Sequence, residues 1–240
     1  MRRTLAITAA LVATAGCSAP GRPSRDSQVL SPLKITNFNI LYETNCAGCH
    51  GRGGKGGAAI GIGDPVYLVI ADDASIRRVV DNGVPGTAMP AFAETAGGML
   101  TNSQVETIVT GIRSRWARPG ALQGETPPPY AAQQSGDPNR GANVYSVYCS
   151  SCHGADARGG PRASSIVDPS YLSLVSDQYL RTTVIVGRPE LGAPDWRGDV
   201  PGKAMSNEEV SDVVTWLAAH RPQVTSPSLS SAKSEAGGIQ

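Results

Sequence analysis

Large aromatic side chains are scarce in this 240-residue chain: Phe, Tyr and Trp make up 5% of it, with only two Phe and three Trp. So few bulky side chains can fill only a small core in a chain of this size. A bound apolar group would add buried surface to that core. Charge of one sign is lacking too. The net charge is +1, and it becomes about −1 without the first 16 residues, which contain Arg2 and Arg3. This balance excludes a nucleic-acid-binding protein.

Long apolar runs are also missing, and the one apolar stretch near the N-terminus predicts export. It runs from Leu5 to Ala15 after Arg2 and Arg3, which is too short to span a bilayer but typical of a signal peptide. We therefore predict that residues 1–16 are a signal peptide and that the protein acts at the periplasmic face.

Cys17 directly follows Ala-Gly, a sequence similar to the end of a bacterial lipoprotein signal. We predict a lipid anchor on Cys17, and the alternative is ordinary cleavage nearby with a stray thiol. Residues 17–34 are rich in Pro, Ser and Gly and predict a flexible tether.

The other four cysteines form two Cys-x-x-Cys-His motifs, which begin 103 residues apart. Two thiols at this spacing can each add to one vinyl group of a porphyrin, and the adjacent His can then ligate the iron. A redox dithiol or half a zinc site are the alternatives, but the two Cys pairs are too far apart for a zinc ribbon and no βαβ pattern surrounds them. The sequence thus predicts two covalently bound haem c groups, held by Cys46, Cys49 and His50 and by Cys149, Cys152 and His153.

The two halves of the chain are copies of one domain, because the similarity continues well beyond the motifs. It includes Tyr42 with Tyr145, 64–68 with 168–172, Pro90 with Pro194, and 102–109 with 207–214. We predict domain 1 at 35–117, domain 2 at 139–221 and a disordered tail at 222–240. Residues 118–138 contain three consecutive prolines, at 127–129, and predict a linker partly stiffened by polyproline.

Apolar spacing predicts an all-α fold with short helices. Helices are predicted at 38–45 and 141–148, just before the motifs, and at 74–82 and 177–186 in the middle of each half. The terminal helices are the clearest. One follows Ser206, which stands three residues before Glu209 in a capping box, and its counterpart starts at Thr101.

This order of helix, Cys-x-x-Cys-His motif, glycine-rich loop, middle helix, Met-Pro segment and terminal helix resembles the class I cytochromes c. The tandem form is similar to the dihaem cytochromes related to cytochrome c4. The resemblance covers about residues 35–117 and 139–221. It implies two small haem domains with His and Met as axial ligands, and electron transfer as the activity.

Met89 is the predicted sixth ligand of haem 1, because it lies in a loop bounded by prolines rather than on a helical stripe. For haem 2 the sequence leaves two alternatives. The repeat alignment places Ala193 opposite Met89, and Ala cannot bind iron. A second alignment, of 200–205 with 84–89, selects Met205, although Met205 then coincides with Leu100 in the terminal-helix register. We predict Met205 as the ligand, because an empty position exposes ferrous iron to side reactions.

Histidine is in short supply, and this limits the kind of cytochrome. Only His220 lies outside the two motifs, at the end of the last helix, where a solvated residue is expected. The chain therefore cannot hold two bis-histidine haems. The sequence predicts a non-enzymatic carrier of single electrons between a redox donor and acceptor, with a membrane respiratory complex as one candidate partner. The alternative is a dihaem peroxidase or a gas-binding protein, with an open sixth position at haem 2.

Overall fold

The computed structural model describes residues 31–198, 200 and 202–222. Within them the regular structure consists of α-helices and short 3₁₀ turns, and the β-type pairings are isolated bridges. The predicted all-α class is confirmed. The predicted signal peptide, Cys17, the tether up to residue 30 and the tail from residue 223 lie outside the described residues. None of the helices in the described part has the length and apolar character that a bilayer crossing needs.

Each repeat contains five α-helices in the same order. In the first repeat they are α1 (Phe38–Asn45), α2 (Ala47–His50), α3 (Pro65–Ile70), α4 (Asp73–Asn82) and α5 (Asn102–Trp116). In the second they are α6 (Pro138–Tyr148), α7 (Ser150–His153), α8 (Pro169–Leu174), α9 (Asp177–Val186) and α10 (Asn207–Ala218). All six longer helices were predicted. Helix α6 starts three residues earlier than predicted, because the Asp137 carboxylate accepts a hydrogen bond from the Asn139 N–H and caps the helix.

The six-residue helices α3 and α8 were not predicted. Each begins with an Asp-Pro pair: the Asp64 carboxylate accepts from the Val66 N–H at 2.7 Å, and Asp168 accepts from the Ser170 N–H at 2.9 Å. Proline suits the first helical position because it has no N–H to leave unpaired there. The Asp-Pro pairs therefore mark the helix starts. A six-residue segment is too short for apolar periodicity to support them.

In the first repeat the terminal helix α5 packs against α1. Gly111 makes this crossing close, because a Cβ there would come well within 3.0 Å of the Phe38 ring. The Phe38 ring in turn contacts Tyr42 and Trp116, with ring centroids 5.6 Å away in both cases. Much of the aromatic content of this half is thus gathered at one helix crossing.

In the second repeat α10 packs against α6, and the close approach uses Gly141 on α6 instead. A Cβ there would lie 2.7 Å from both the Asp212 carbonyl carbon and the Trp216 Cβ. The Trp216 ring stacks on Tyr145 with centroids 4.5 Å apart. The two repeats therefore solve the same packing problem with a glycine on opposite helices.

An ion pair between the buried Asp212 and the exposed Arg140 bonds the same two helices. Asp212 is 2% exposed, and its carboxylate accepts from Arg140 Nε at 2.7 Å and from the Asp137 N–H at 2.6 Å. Burial by itself raises the pKa of Asp212, but these two bonds outweigh it and hold the pKa below its ordinary value. The first turn of α6 is thereby bonded to the middle of α10.

The segment between the repeats packs on the second repeat through the end of its three-proline run. Arg181 on α9 is 2% exposed and donates to the Pro129 carbonyl at 2.8 Å and the Tyr130 carbonyl at 3.2 Å. It also donates to the side chains of Ser211 and Asn207. The middle of the predicted linker is therefore bound to the domain that follows it.

The two repeats lie in one compact unit, which begins at Ile35, and they touch where the loops after α4 and α9 lie. The Ala88 N–H, next to Met89, donates to the Leu174 carbonyl at 3.2 Å. In the opposite direction Arg188 donates to the Gly57 carbonyl at 2.6 Å. The first repeat thus contributes its Met-Pro segment to the contact, and the second repeat contributes the start of its equivalent segment.

Candidate haem sites

The first motif lies on a sharp turn between two helices. Cys46 ends α1, with its N–H on the Tyr42 carbonyl at 2.8 Å, and its own carbonyl accepts from the His50 N–H at 2.9 Å to start α2. Cys46 is half-buried and Cys49 is exposed, and neither forms a disulfide. The second motif has the same arrangement. Cys149 directly precedes α7, and its carbonyl accepts from the His153 N–H at 3.0 Å.

The environment of these thiols disfavours a redox dithiol. Burial, helped by the neighbouring Cys49, raises the pKa of Cys46 to about 12. Burial and Cys152 likewise raise the pKa of Cys149 to about 11. Reactive dithiols lower the pKa of the attacking thiol to expose a thiolate at neutral pH. At Cys46 and Cys149 the pKa is raised instead.

Both motif histidines present one ring nitrogen for a metal. His50 Nδ1 donates to the Ile60 carbonyl at 2.9 Å, and His153 Nδ1 donates to the Ser164 carbonyl at 2.8 Å. A carbonyl only accepts, so the proton is on Nδ1 and the Nε2 lone pair is available. Burial lowers the pKa of His50 and favours the neutral ring. Two thiols beside such a histidine fit covalently attached haem with a histidine-ligated iron.

The glycine-rich loop after each histidine folds back under its motif. A side chain at Gly57 would come well within 3.0 Å of the Cys49 carbonyl oxygen, and one at Gly160 would do the same at the Cys152 carbonyl. A tyrosine from the preceding helix holds each loop, since Tyr42 Oη donates to the Gly51 carbonyl at 2.9 Å and Tyr145 Oη donates to the Gly154 carbonyl. Sequence reasoning matched these tyrosines across the repeat but missed their role. That role depends on a bond between side chain and backbone nine residues apart.

Met89 lies half-buried in a short loop that is held at both ends. The Met89 carbonyl accepts from the Val84 N–H at 2.9 Å, and the Met89 N–H donates to the Thr87 hydroxyl at 3.2 Å. Gly83 packs so closely on Pro90 that a Cβ there would lie 2.5 Å from the Pro90 carbonyl carbon. These contacts hold the backbone on both sides of the Met89 side chain, as expected of a loop that presents a ligand.

In the second repeat an equivalent backbone bond places Ala193 at the position of Met89. The Ala193 carbonyl accepts from the Arg188 N–H at 2.9 Å. A Cβ on Gly187 would lie 2.5 Å from the Pro194 carbonyl carbon, which repeats the contact of Gly83 with Pro90.

Met205 occupies the position of Leu100. The Met205 N–H donates to the Trp196 carbonyl at 2.8 Å, as the Leu100 N–H donates to the Phe92 carbonyl at 2.8 Å. The two side chains are 6% and 5% exposed and belong to the hydrophobic core. Ligation by Met205 stays a prediction.

His220 lies where the sequence predicts it, exposed at the end of α10. Its ring packs edge-on against Trp216 with centroids 4.6 Å apart, and its Nδ1 is 2.9 Å from the Trp216 carbonyl. It does not lie in either motif loop.

Comparison with known proteins gives a family. The model of "Cytochrome C oxidase, cbb3-type, subunit III" matches residues 34–110 and 136–217, which correspond to the two repeats. The chain is 30% identical over 129 residues to the cbb3-type cytochrome c oxidase subunit CcoP of Azospirillum sp. (strain B510), a match that covers 49% of this chain and 38% of that protein.

Two further relatives match most of this chain. The cbb3-type cytochrome c oxidase subunit FixP of Rhizobium meliloti (strain 1021) is 26% identical, over 73% of this chain and 61% of its own length. The cytochrome bc1 complex cytochrome c subunit of Mycobacterium tuberculosis (strain CDC 1551 / Oshkosh) is 22% identical, over 74% of this chain and 60% of its own length. The chain thus spans about two fifths to three fifths of the length of these curated relatives.

Proposed function

Because the chain belongs to the family of cytochrome c oxidase, cbb3-type, subunit III, we propose that it is a dihaem c-type cytochrome that carries single electrons and catalyses no reaction of its own. Membership of the cytochrome c family implies covalently bound haem c. The proposal of two haems depends on one observation: both motifs combine a pair of thiols with a histidine whose Nδ1 is bonded to a backbone carbonyl.

The residues of the chain would attach, orient and shield each group. The bound haem supplies the one-electron couple of its iron. Cys46 and Cys49 would form the thioether links, and His50 would ligate through Nε2 while the Ile60 carbonyl fixes its ring plane. Met89 would complete the first site with a neutral, soft sulfur, which favours the ferrous state and suits a carrier that accepts electrons readily.

In the second repeat Cys149, Cys152 and His153 would do the same, with the Ser164 carbonyl fixing the imidazole. The contact between the repeats supports a carrier in which one haem takes an electron while the other delivers it, an arrangement similar to the cytochrome c4 group. Its direct bonds, from Ala88 to Leu174 and from Arg188 to Gly57, come from the segments next to the haem sites.

We further propose a place at the periplasmic face, with export directed by residues 1–16 and a lipid anchor on Cys17. The curated relatives are named as subunits of cbb3-type oxidases and of a bc1 complex. They support a membrane respiratory complex as donor or acceptor, with the chain acting as a subunit or as a tethered shuttle.

The test of the proposal is haem counted against protein in the full chain, produced in a bacterium with the cytochrome c maturation system. We expect two haems per chain, and one in either of the double variants Cys46→Ser/Cys49→Ser and Cys149→Ser/Cys152→Ser. One haem in the unchanged protein would contradict the dihaem proposal. Cys17→Ser is the matched control: it should keep both haems and leave the membrane fraction, and continued membrane association would refute the anchor.

A further inference from the structure

The second repeat reproduces the ligand loop of the first with its ligand missing. The bond between residues 188 and 193 and the packing of Gly187 on Pro194 match those between 84 and 89 and of Gly83 on Pro90. The two loops therefore keep the same register from Gly187 to Pro194. The backbone that presents a thioether in the first repeat presents the methyl group of Ala193 in the second.

Met205 lies outside this loop, in the hydrophobic core. Its N–H is fixed to the Trp196 carbonyl, and the next residue, Ser206, caps α10 in a reciprocal capping box with Glu209. Its side chain fills the core position that Leu100 fills in the first repeat, with nearly equal burial. Met205 is thus held in the core at a capped helix start, outside the loop that matches the ligand loop of the first repeat.

Other side chains of the second repeat that could ligate iron are engaged as well. His220 is exposed against Trp216, and Lys203 Nζ lies over the Tyr148 ring at 5.3 Å. In the described part of this repeat there is no further methionine or histidine outside the motif.

We propose that the second haem site is a binding site for a small π-acceptor molecule of the carbon monoxide or nitric oxide class, at the position that Met89 fills in the first repeat. The inference rests on the proposed attachment of haem to Cys149 and Cys152. A five-coordinate ferrous iron binds such diatomic molecules, and a small distal residue leaves them room. The first site, closed by Met89, does not bind them. The second site thus adds ligand recognition to its one-electron couple.

The test is a carbon monoxide titration of the fully reduced full chain, followed by absorbance, with haem and protein counted in the same sample. We expect one carbon monoxide per chain, which is half of the haem. Ala193→Met should lower this to none and add a second methionine-to-iron charge-transfer band in the oxidised protein. Met205→Leu, which installs the residue of the first repeat, should leave the stoichiometry at one.

Different failures are distinguishable. No binding in the unchanged protein would overturn the inference, and binding that appears only in Met205→Leu would identify Met205 as the ligand. Two carbon monoxide molecules per chain would overturn the selectivity, because Met89 would then not close the first site. A count of one haem per chain would refute the dihaem proposal itself before any gas is added.

Discussion

The closeness of α6 and α10 at Gly141 makes a quantitative prediction, since α6 leads directly into the second motif. An added methyl group would lie 2.7 Å from the Asp212 carbonyl carbon and from the Trp216 Cβ, whereas real Cβ atoms stay beyond 3.0 Å. Both neighbours are close to or part of the α10 backbone, so the helices must separate. Overpacking of this kind costs about 1–3 kcal/mol, and the separation also strains the Arg140–Asp212 pair.

Helix propensity acts in the opposite direction, because replacing Gly by Ala inside a helix gains roughly 1 kcal/mol. We expect the packing cost and the strained ion pair to exceed this gain. Gly141→Ala should therefore lower the free energy of unfolding by about 1 kcal/mol, which is a shift of the urea midpoint by about 0.5 M at a slope of about 2 kcal/mol/M.

Gly111→Ala is the matched comparison from the first repeat. There the three atoms nearest to the added methyl group all belong to the ring of Phe38, a half-buried side chain, and none belongs to a backbone. We expect a smaller loss than at Gly141. The assay is urea unfolding of the holoprotein followed by circular dichroism. An unfolding free energy that is unchanged or raised in Gly141→Ala would refute the packing argument.

Three further changes test other parts of the account. Ser206→Ala removes the capping hydroxyl of α10 and should lower the free energy of unfolding by about 1 kcal/mol; no loss in urea unfolding would contradict the capping box. Because the pKa of Asp212 is held low in the folded state, its stabilising effect is complete above the unfolded pKa of about 4 and is lost as the pH falls through the folded value. Asp212→Asn should thus be less stable at neutral pH and flatter in its acid dependence, measured by urea midpoints from pH 7 to 3, and parallel profiles would refute this. Tyr145→Phe removes the hydroxyl that donates to the Gly154 carbonyl and should lower the free energy of unfolding by about 1 kcal/mol. It should also speed amide hydrogen exchange at Gly159, whose N–H donates to the His153 carbonyl. Unchanged exchange would count against a role of Tyr145 in fixing the loop.

The helices and the motifs were predictable because their signals are local. The capping box at Ser206 and Glu209, and the apolar spacing that follows it, specify α10 without tertiary information. The short helix α3 was missed because six residues carry too little periodicity, although Asp64 and Pro65 mark its start.

Other features depend on contacts between distant residues, which no local pattern contains. Arg181 is buried and donates to the Pro129 and Tyr130 carbonyls, about 50 residues earlier in the chain. The packing of this part of the linker could therefore not be predicted from its proline content. The choice between Ala193 and Met205 was open in the sequence because two alignments compete. The backbone bonds favour the register that puts Ala193 at the position of Met89.

The central claim, that the chain is a carrier with two one-electron centres, is tested most directly by an anaerobic reductive titration of the fully oxidised protein. We predict that two electrons per chain are taken up, in two one-electron steps that each change the absorbance of one haem. Uptake of a single electron, or of two electrons with no change at one of the haems, would contradict the account.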